Sequence, residues 1–133
     1  MTGDAPPAAI EARGLAKTFD GKTAVAGIDL EVVPGSITGF LGQNGAGKTT
    51  TLRMLLGILT PDAGQARVLG ATAPLEVAHK IGYLPEERGL YPAMTARETI
   101  AFMGALRGLP LAEGRRRAET LLAANGLGDV TGA

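Results

Sequence analysis

Cysteine is missing from the 133-residue chain, so disulfides and thiolate metal sites are excluded and the redox compartment is not legible. The single histidine, His79, leaves no room for a cluster of imidazole ligands. An excess of charge of one sign is missing too. Thirteen Lys and Arg balance thirteen Asp and Glu, so no global field draws the chain to nucleic acid or anionic lipid. The one local concentration, Arg115-Arg116-Arg117, is expected to be the solvated side of a helix rather than an RNA or membrane patch. No apolar run approaches the roughly 20 residues of a membrane span. Met1 to Ala9 is Pro/Ala-rich and acidic, with no apolar centre, which predicts a disordered lead-in and no signal peptide. A cytoplasmic location is the resulting expectation.

What is present is an apolar fraction of 45%, enough for a packed core, and 20 glycines, about twice the usual share, as expected for tight loops. The length suits one domain or part of a larger one. Residues 42 to 49 read Gly-Gln-Asn-Gly-Ala-Gly-Lys-Thr, the full pattern G-x-x-x-x-G-K-[ST]. Gly42, Gly45 and Gly47 are expected to take positive φ and let the backbone approach a ligand. Consecutive N–H groups would then converge on a β-phosphate, Lys48 would reach the β- and γ-phosphates, and the Thr49 hydroxyl would ligate Mg²⁺. A bare strand-to-helix turn would need one glycine and has no use for Lys-Thr at this offset. The pattern points to a bound nucleoside triphosphate.

The flanks fit. Ile37 to Leu41 is a short apolar run suited to a buried strand, and Thr50 to Leu56 begins a helix whose N-terminal dipole would face phosphates. Upstream, Ile10 to Phe19 and Ala24 to Val32 read as two strands joined at Asp20-Gly21-Lys22. Downstream, Pro61-Asp62-Ala63-Gly64 is a turn, to which we assign structure and no chemistry. Gln65 to Leu69 and Ile81 to Leu84 read as strands, with a weak helical stretch around Leu75 to Lys80 between them. Thr95-Ala96-Arg97-Glu98 forms a capping box, in which Thr95 accepts from the Glu98 N–H while Glu98 reaches back. The helix it starts carries Ile100, Met103, Ala105 and Leu106. A last helix, about Leu111 to Ala124, has Leu111, Ala118, Leu121 and Leu122 on one stripe and closes at Asn125-Gly126.

This order of elements resembles the nucleotide-binding domain of ATP-binding cassette (ABC) transporters. The residues carrying the resemblance are Leu15 to Phe19, Gly39 to Thr50, Leu59 to Gly64 and Ile81 to Tyr91. Within the last segment, Gly82-Tyr83-Leu84-Pro85-Glu86-Glu87-Arg88-Gly89-Leu90-Tyr91 is similar to a bacterial exporter group with separate membrane subunits, the ABC-2 or sodium-export-like type. The resemblance implies an α/β fold: a phosphate-loop NTPase-type sheet (the ABC ATPase core) with N-terminal antiparallel β strands and the start of a helical subdomain, truncated. Residues 1–9 are the expected lead-in, and 10–133 the N-terminal portion of the nucleotide-binding domain.

It also implies roles. Phe19 stands where an aromatic residue stacks on adenine; the bland reading is a core Phe at a strand end. Gly42, Gln43, Asn44, Gly45, Ala46, Gly47, Lys48, Thr49 and Thr50 would hold the triphosphate. Glu86 stands where most of the family has a Gln that touches Mg²⁺ and the attacking water. A carboxylate there binds Mg²⁺ more strongly but donates no amide hydrogen bond, and the alternative is a solvated surface Glu. Phosphate-loop ATPases also need an acidic strand end for Mg²⁺ and a catalytic carboxylate beside it. After Lys48 the aspartates are Asp62, in a turn, and Asp129, in a Gly-rich tail. The family's signature segment, catalytic Glu and switch His are absent. The implied protein is an ATPase subunit, peripheral on the inner face of the membrane. It would work as a homodimer of nucleotide-binding domains with a separate membrane-spanning permease subunit, using ATP and Mg²⁺. This chain alone is expected to bind ATP without hydrolysing it. The alternatives are a soluble ABC-type ATPase acting on ribosomes or DNA, and a defective fragment.

Overall fold

The computed structural model describes residues 7–87 and 91–128. They fall into two compact units, Met1–Gly82 and Tyr83–Ala133. In the first, β1 (Ile10–Phe19) and β2 (Lys22–Val32) form a hairpin, followed by α1 (Lys48–Leu55), β3 (Ala63–Val68) and a 3₁₀ segment, Pro74–Lys80. The hairpin turns through Asp20 and Gly21, both at positive φ, the combination that matches the twist of a two-residue loop. The sheet order is β2-β1-β3, with both pairings antiparallel. Ala9, counted above with the lead-in, already bonds Val32 O through its N–H (2.8 Å) and accepts from Leu69 N–H (2.8 Å).

The core explains the register. Ala12 and Leu15 are both fully buried although three residues apart, which a strand of period two would place on opposite faces. A register irregularity between them turns Leu15 back to the inner face. Val25, Met54 and Leu55 complete the buried cluster, with Ile28 and Leu30 packed at its margin as the alternation of β2 predicts.

The turn expected over Pro61 to Gly64 is shorter, since Ala63 and Gly64 already belong to β3, and the bend at Asp62 locks β3 onto β1. Asp62 Oδ1 accepts from Lys17 Nζ and Oδ2 from the Thr18 N–H, both at 2.8 Å, while the Asp62 N–H donates to Ala16 O at 2.9 Å. Gly64 lies so close that a Cβ there would sit 2.3 Å from Gly14 O.

Two expected strands are not formed. Ile37 to Leu41 and Ile81 to Leu84 adopt no strand, and Ile37, Leu41 and Leu84 are almost fully exposed. Apolarity alone makes no strand, because the hydrogen bonds of a strand belong to its neighbours.

In the second unit, α2 (Ala96–Ala105) packs against α3 (Leu111–Ala124). Thr95 Oγ1 accepts from the Glu98 N–H at 3.2 Å, as expected. The Glu98 carboxylate does not reach back. It takes Arg115 of α3 instead, at 3.1 Å from Nε and 3.2 Å from Nη2. The apolar stripe also differs from the expected one. Gly114, Ala118 and Leu122 face inward with Thr99 and Ala101 of α2, while Met103, Leu106, Leu111 and Leu121 are exposed. Gly114 lets the helices approach closely at Ala101, and Leu122 is the stripe leucine that is buried. The arginine run is paired throughout: Arg115 with Glu98, and Arg116 and Arg117 with Glu113. Arg116, and after it Arg117, holds the Glu113 carboxyl below its ordinary pKa. Asn125-Gly126 closes α3, with Leu127 N–H on Leu122 O at 2.8 Å. No helix among the described residues is long and apolar enough to cross a membrane. Arg88, Gly89, Leu90 and Asp129 lie outside the described residues.

Candidate functional site: a phosphate-binding loop

The loop over residues 42 to 49 runs into the first turn of α1, and its shape is set by contact with β2. Gly47 is the N-cap, at φ 87° and ψ 9°. A Cβ at this position would lie 2.3 Å from Ala24 O and 3.0 Å from Val25 Cγ2. No side chain can stand there, and the loop is thereby seated on the hairpin. Gly45 also has positive φ, but Gly42 does not. Gly42 contributes space, since a Cβ on it would meet Ala46 Cβ at 3.3 Å and Lys48 Cδ at 3.6 Å.

Lys48 folds back across the loop. Its ammonium donates to Gly42 O and to Gln43 O, the latter at 3.0 Å. An ammonium has three donors, so one remains for an incoming acceptor. Gln43 O also accepts from Ala46 N–H at 3.1 Å, which fixes the turn around Asn44 and Gly45.

The N-terminus of α1 is left open. No side chain caps it, and its first turn carries no acidic residue. The N–H groups of Lys48, Thr49 and Thr50 have no intrahelical acceptor, and the helix dipole adds positive potential there. An anion with several oxygens satisfies all three at once. Thr49 is exposed. Among the described residues no group of three or more His, Cys, Asp or Glu is placed to hold a metal ion.

One residue escaped the sequence reading. Thr51 is 1% exposed, and its Oγ1 donates to Gly47 O at 2.8 Å alongside its own N–H at 2.9 Å. It clamps the helix to the cap residue from behind. The available signal was its place four residues after Gly47, where a Thr hydroxyl reaches the preceding turn.

Phe19 stands at the end of β1, 43% exposed, paired with Lys22 across the hairpin. Ala24, on which Gly47 rests, is two residues along from Lys22, about 7 Å of strand. The hairpin thus carries an exposed aromatic ring and the seat of the loop on neighbouring residues. Lys17 Nζ lies 5.5 Å from the Phe19 ring centroid. Asp62 is engaged by Lys17 on one oxygen and by the Thr18 N–H on the other; chiefly Lys17, then the Thr18 N–H, holds its carboxyl below the ordinary value. Glu86 belongs to the second unit, where it is exposed in a bend after Pro85. A concavity lined by Leu15, Met54, Leu59, Pro61 and Leu75 among others includes no residue of the loop.

Comparison with known proteins agrees with this geometry. The family model for ABC transporters matches residues 25–132. The chain is 42% identical over 128 residues to the daunorubicin/doxorubicin resistance ATP-binding protein DrrA of Streptomyces peucetius, covering 94% of this chain and 39% of that protein. It is 44% identical over 120 residues to the Nod factor export ATP-binding protein I of Paraburkholderia xenovorans (strain LB400), covering 88% and 40%. A solved ATP binding subunit of an ABC transporter superimposes with a TM-score of 0.76 at 26% identity, over 93% of this chain and 53% of that one. The chain therefore spans about two fifths of the length of these curated relatives.

Proposed function

The chain belongs to the ABC transporter family, with its ABC-2-type ATP-binding subunits as relatives, and from that premise we propose that it forms the ATP-holding part of an exporter's energising subunit. The observation that carries this reading is the loop itself: an uncapped helix start seated by Gly47 on β2, with the Lys48 ammonium across its mouth. In this reading the amides from Asn44 to Thr50 bind the β- and γ-phosphates. Lys48 exchanges the Gly42 and Gln43 carbonyls for phosphate oxygens, and Phe19 stacks on adenine. Mg²⁺, held by Thr49 Oγ1 with phosphate and water, would neutralise charge between the phosphates.

The whole protein's activity follows as part of the proposal. Two such domains would close on ATP and drive a separate permease subunit, from the inner face of the membrane, toward export. The functions for which the relatives are named, daunorubicin/doxorubicin resistance and Nod factor export, support export over work on ribosomes or DNA. The pairing of Arg115, Arg116 and Arg117 with glutamates also argues against a nucleic-acid surface. Glu86 would approach Mg²⁺ and the attacking water in the complete domain. The 133-residue chain is expected to bind ATP without turnover, because Asp62 is committed to Lys17 and Thr18 and the loop offers no base of its own.

Lys48→Ala tests the reading. A charge-assisted contact of about 1.5–3 kcal/mol is lost, so ATP affinity should fall about tenfold or more in calorimetry with Mg²⁺. Equal affinities in parent and variant would refute nucleotide binding at this loop. Steady phosphate release from the parent, abolished in the variant, would refute binding without turnover.

A further inference from the structure

Lys17 is an unusual surface lysine, with only 16% of its side chain exposed. Its ammonium is pinned at 2.8 Å by Asp62 Oδ1, and Asp62 is itself fixed by Thr18 N–H on its other oxygen and by its own N–H to Ala16 O. A lysine ordinarily keeps its rotamer freedom on the surface; this one has given it up. The immobilised cation lies over the Phe19 ring, 5.5 Å from the centroid, where the electron-rich face attracts it. A ring has two faces, and the ammonium covers one.

We propose that Lys17, anchored by Asp62, is a positioning residue for the nucleobase: it sets the Phe19 ring orientation and covers one face, so that a purine stacks on the other. The proposal rests on the reading of Phe19 as the stacking platform. It gives the Asp62 turn, otherwise a lock between strands, a second task, because the same carboxylate that docks β3 also holds the cation beneath the ring. Phosphate recognition is untouched, since the loop takes its contacts from backbone amides and Lys48.

The test compares ATP with inorganic tripolyphosphate, which carries the phosphates and no base, by calorimetry with Mg²⁺ on the 133-residue chain. Lys17→Met keeps the packing stem and removes the charge. It should weaken ATP roughly two- to fivefold, the range of an exposed cation–π contact, and leave tripolyphosphate unchanged. Lys17→Arg should restore ATP affinity. In a Phe19→Ala background, Lys17→Met should have no further effect, because the two residues act as one unit.

If Phe19→Ala weakens ATP and Lys17→Met does not, the positioning role is overturned and the platform stands. If Phe19→Ala leaves ATP affinity intact, the platform reading fails and takes this one with it. Equal losses for ATP and tripolyphosphate in Lys17→Met would make Lys17 a purely structural residue and overturn the proposal. Should Lys17→Met not fold, Asp62→Asn reads the same ratio with the ammonium present but released: a selective loss for ATP upholds the role, and an unchanged ratio overturns it.

Discussion

Helices α1 and α2 begin in opposite ways. Thr95 closes the start of α2 with its own hydroxyl, and the charges of α2 and α3 are matched within the pair: Glu98 with Arg115, Arg97 with Glu119, Glu113 with Arg116 and Arg117. Helix α1 begins at a glycine with no side-chain cap, no acid in its first turn and a lysine across the opening. One region closes its helix start and pairs its charges within itself, although Arg97 Nε and Thr99 Oγ1 are buried there without a hydrogen-bond partner. The other leaves three amides and an ammonium donor in place for an anion. Binding capacity in this chain is therefore a matter of which hydrogen bonds the fold declines to make. The same contrast holds for close approaches. Gly47 meets the Ala24 carbonyl with left-handed backbone, whereas Gly114, inside α3, meets Ala101 at ordinary helical geometry, where a Cβ would find its oxygen at 3.1 Å.

The largest expected effect breaks the open start of α1. Gly47→Ala forces a Cβ into the Ala24 carbonyl and a non-glycine residue into the left-handed region. The backbone term alone costs about 1–2 kcal/mol, and the overlap adds to it, so ATP affinity should fall beyond about thirtyfold in calorimetry. The matching Gly114→Ala control should leave ATP affinity unchanged. Parent-like ATP binding by the Gly47→Ala variant would mean the seat on β2 is dispensable.

Next in size is the core beneath the loop. Leu15 is fully buried and Leu121 is 53% exposed. Leu15→Ala should cost about 2–5 kcal/mol in urea unfolding, and Leu121→Ala less than about 0.5 kcal/mol. Comparable losses would show that the sequence stripe through Leu121, rather than the seam at Gly114, Ala118 and Leu122, describes the packing of α3.

Removing the cap that α2 has and α1 lacks should matter less. Thr95→Ala is expected to cost about 0.5–2 kcal/mol of stability and to leave ATP affinity as it was. A change in ATP affinity would contradict the division between a closed and an open helix start.

The smallest effect is a pH dependence at Asp62. Its folded pKa is lowered from 3.8, first by Lys17 and then by the Thr18 N–H. The stability it contributes is present above that ordinary value and is lost as pH falls through the lowered one. Acid unfolding of the parent should therefore steepen below about pH 4, and Asp62→Asn should flatten that limb. Parallel acid limbs would mean the Lys17 and Thr18 contacts do not survive in solution.

Much of this was legible residue by residue. The hairpin follows from its turn and its alternation, and the loop from eight consecutive positions. The Asn125-Gly126 closure and the Thr95 cap also stood in the sequence, because each is a local bond between near neighbours. The second half of the capping box was not legible, since Glu98 found a stronger cationic partner seventeen residues away. Of the seam of α3, Ala118 and Leu122 stood in the expected stripe, but Gly114 did not, because a glycine carries no apolar signal. The strands expected at Ile37 to Leu41 and Ile81 to Leu84 failed for a related reason: their pairing partners are set by the sheet, and an apolar run does not name them.

The sequence by itself determined that a glycine-rich loop carrying Lys48-Thr49 leads into a helix, because glycine, lysine and threonine at fixed offsets answer a local requirement of backbone geometry and charge. Only the tertiary structure decided where that loop rests, which acid is free and which is taken, and what lies against the Phe19 ring. Those outcomes depend on residues brought together from β1, β2 and the bend at Asp62. Contact across such separations is fixed by register and packing, which one-dimensional spacing does not encode.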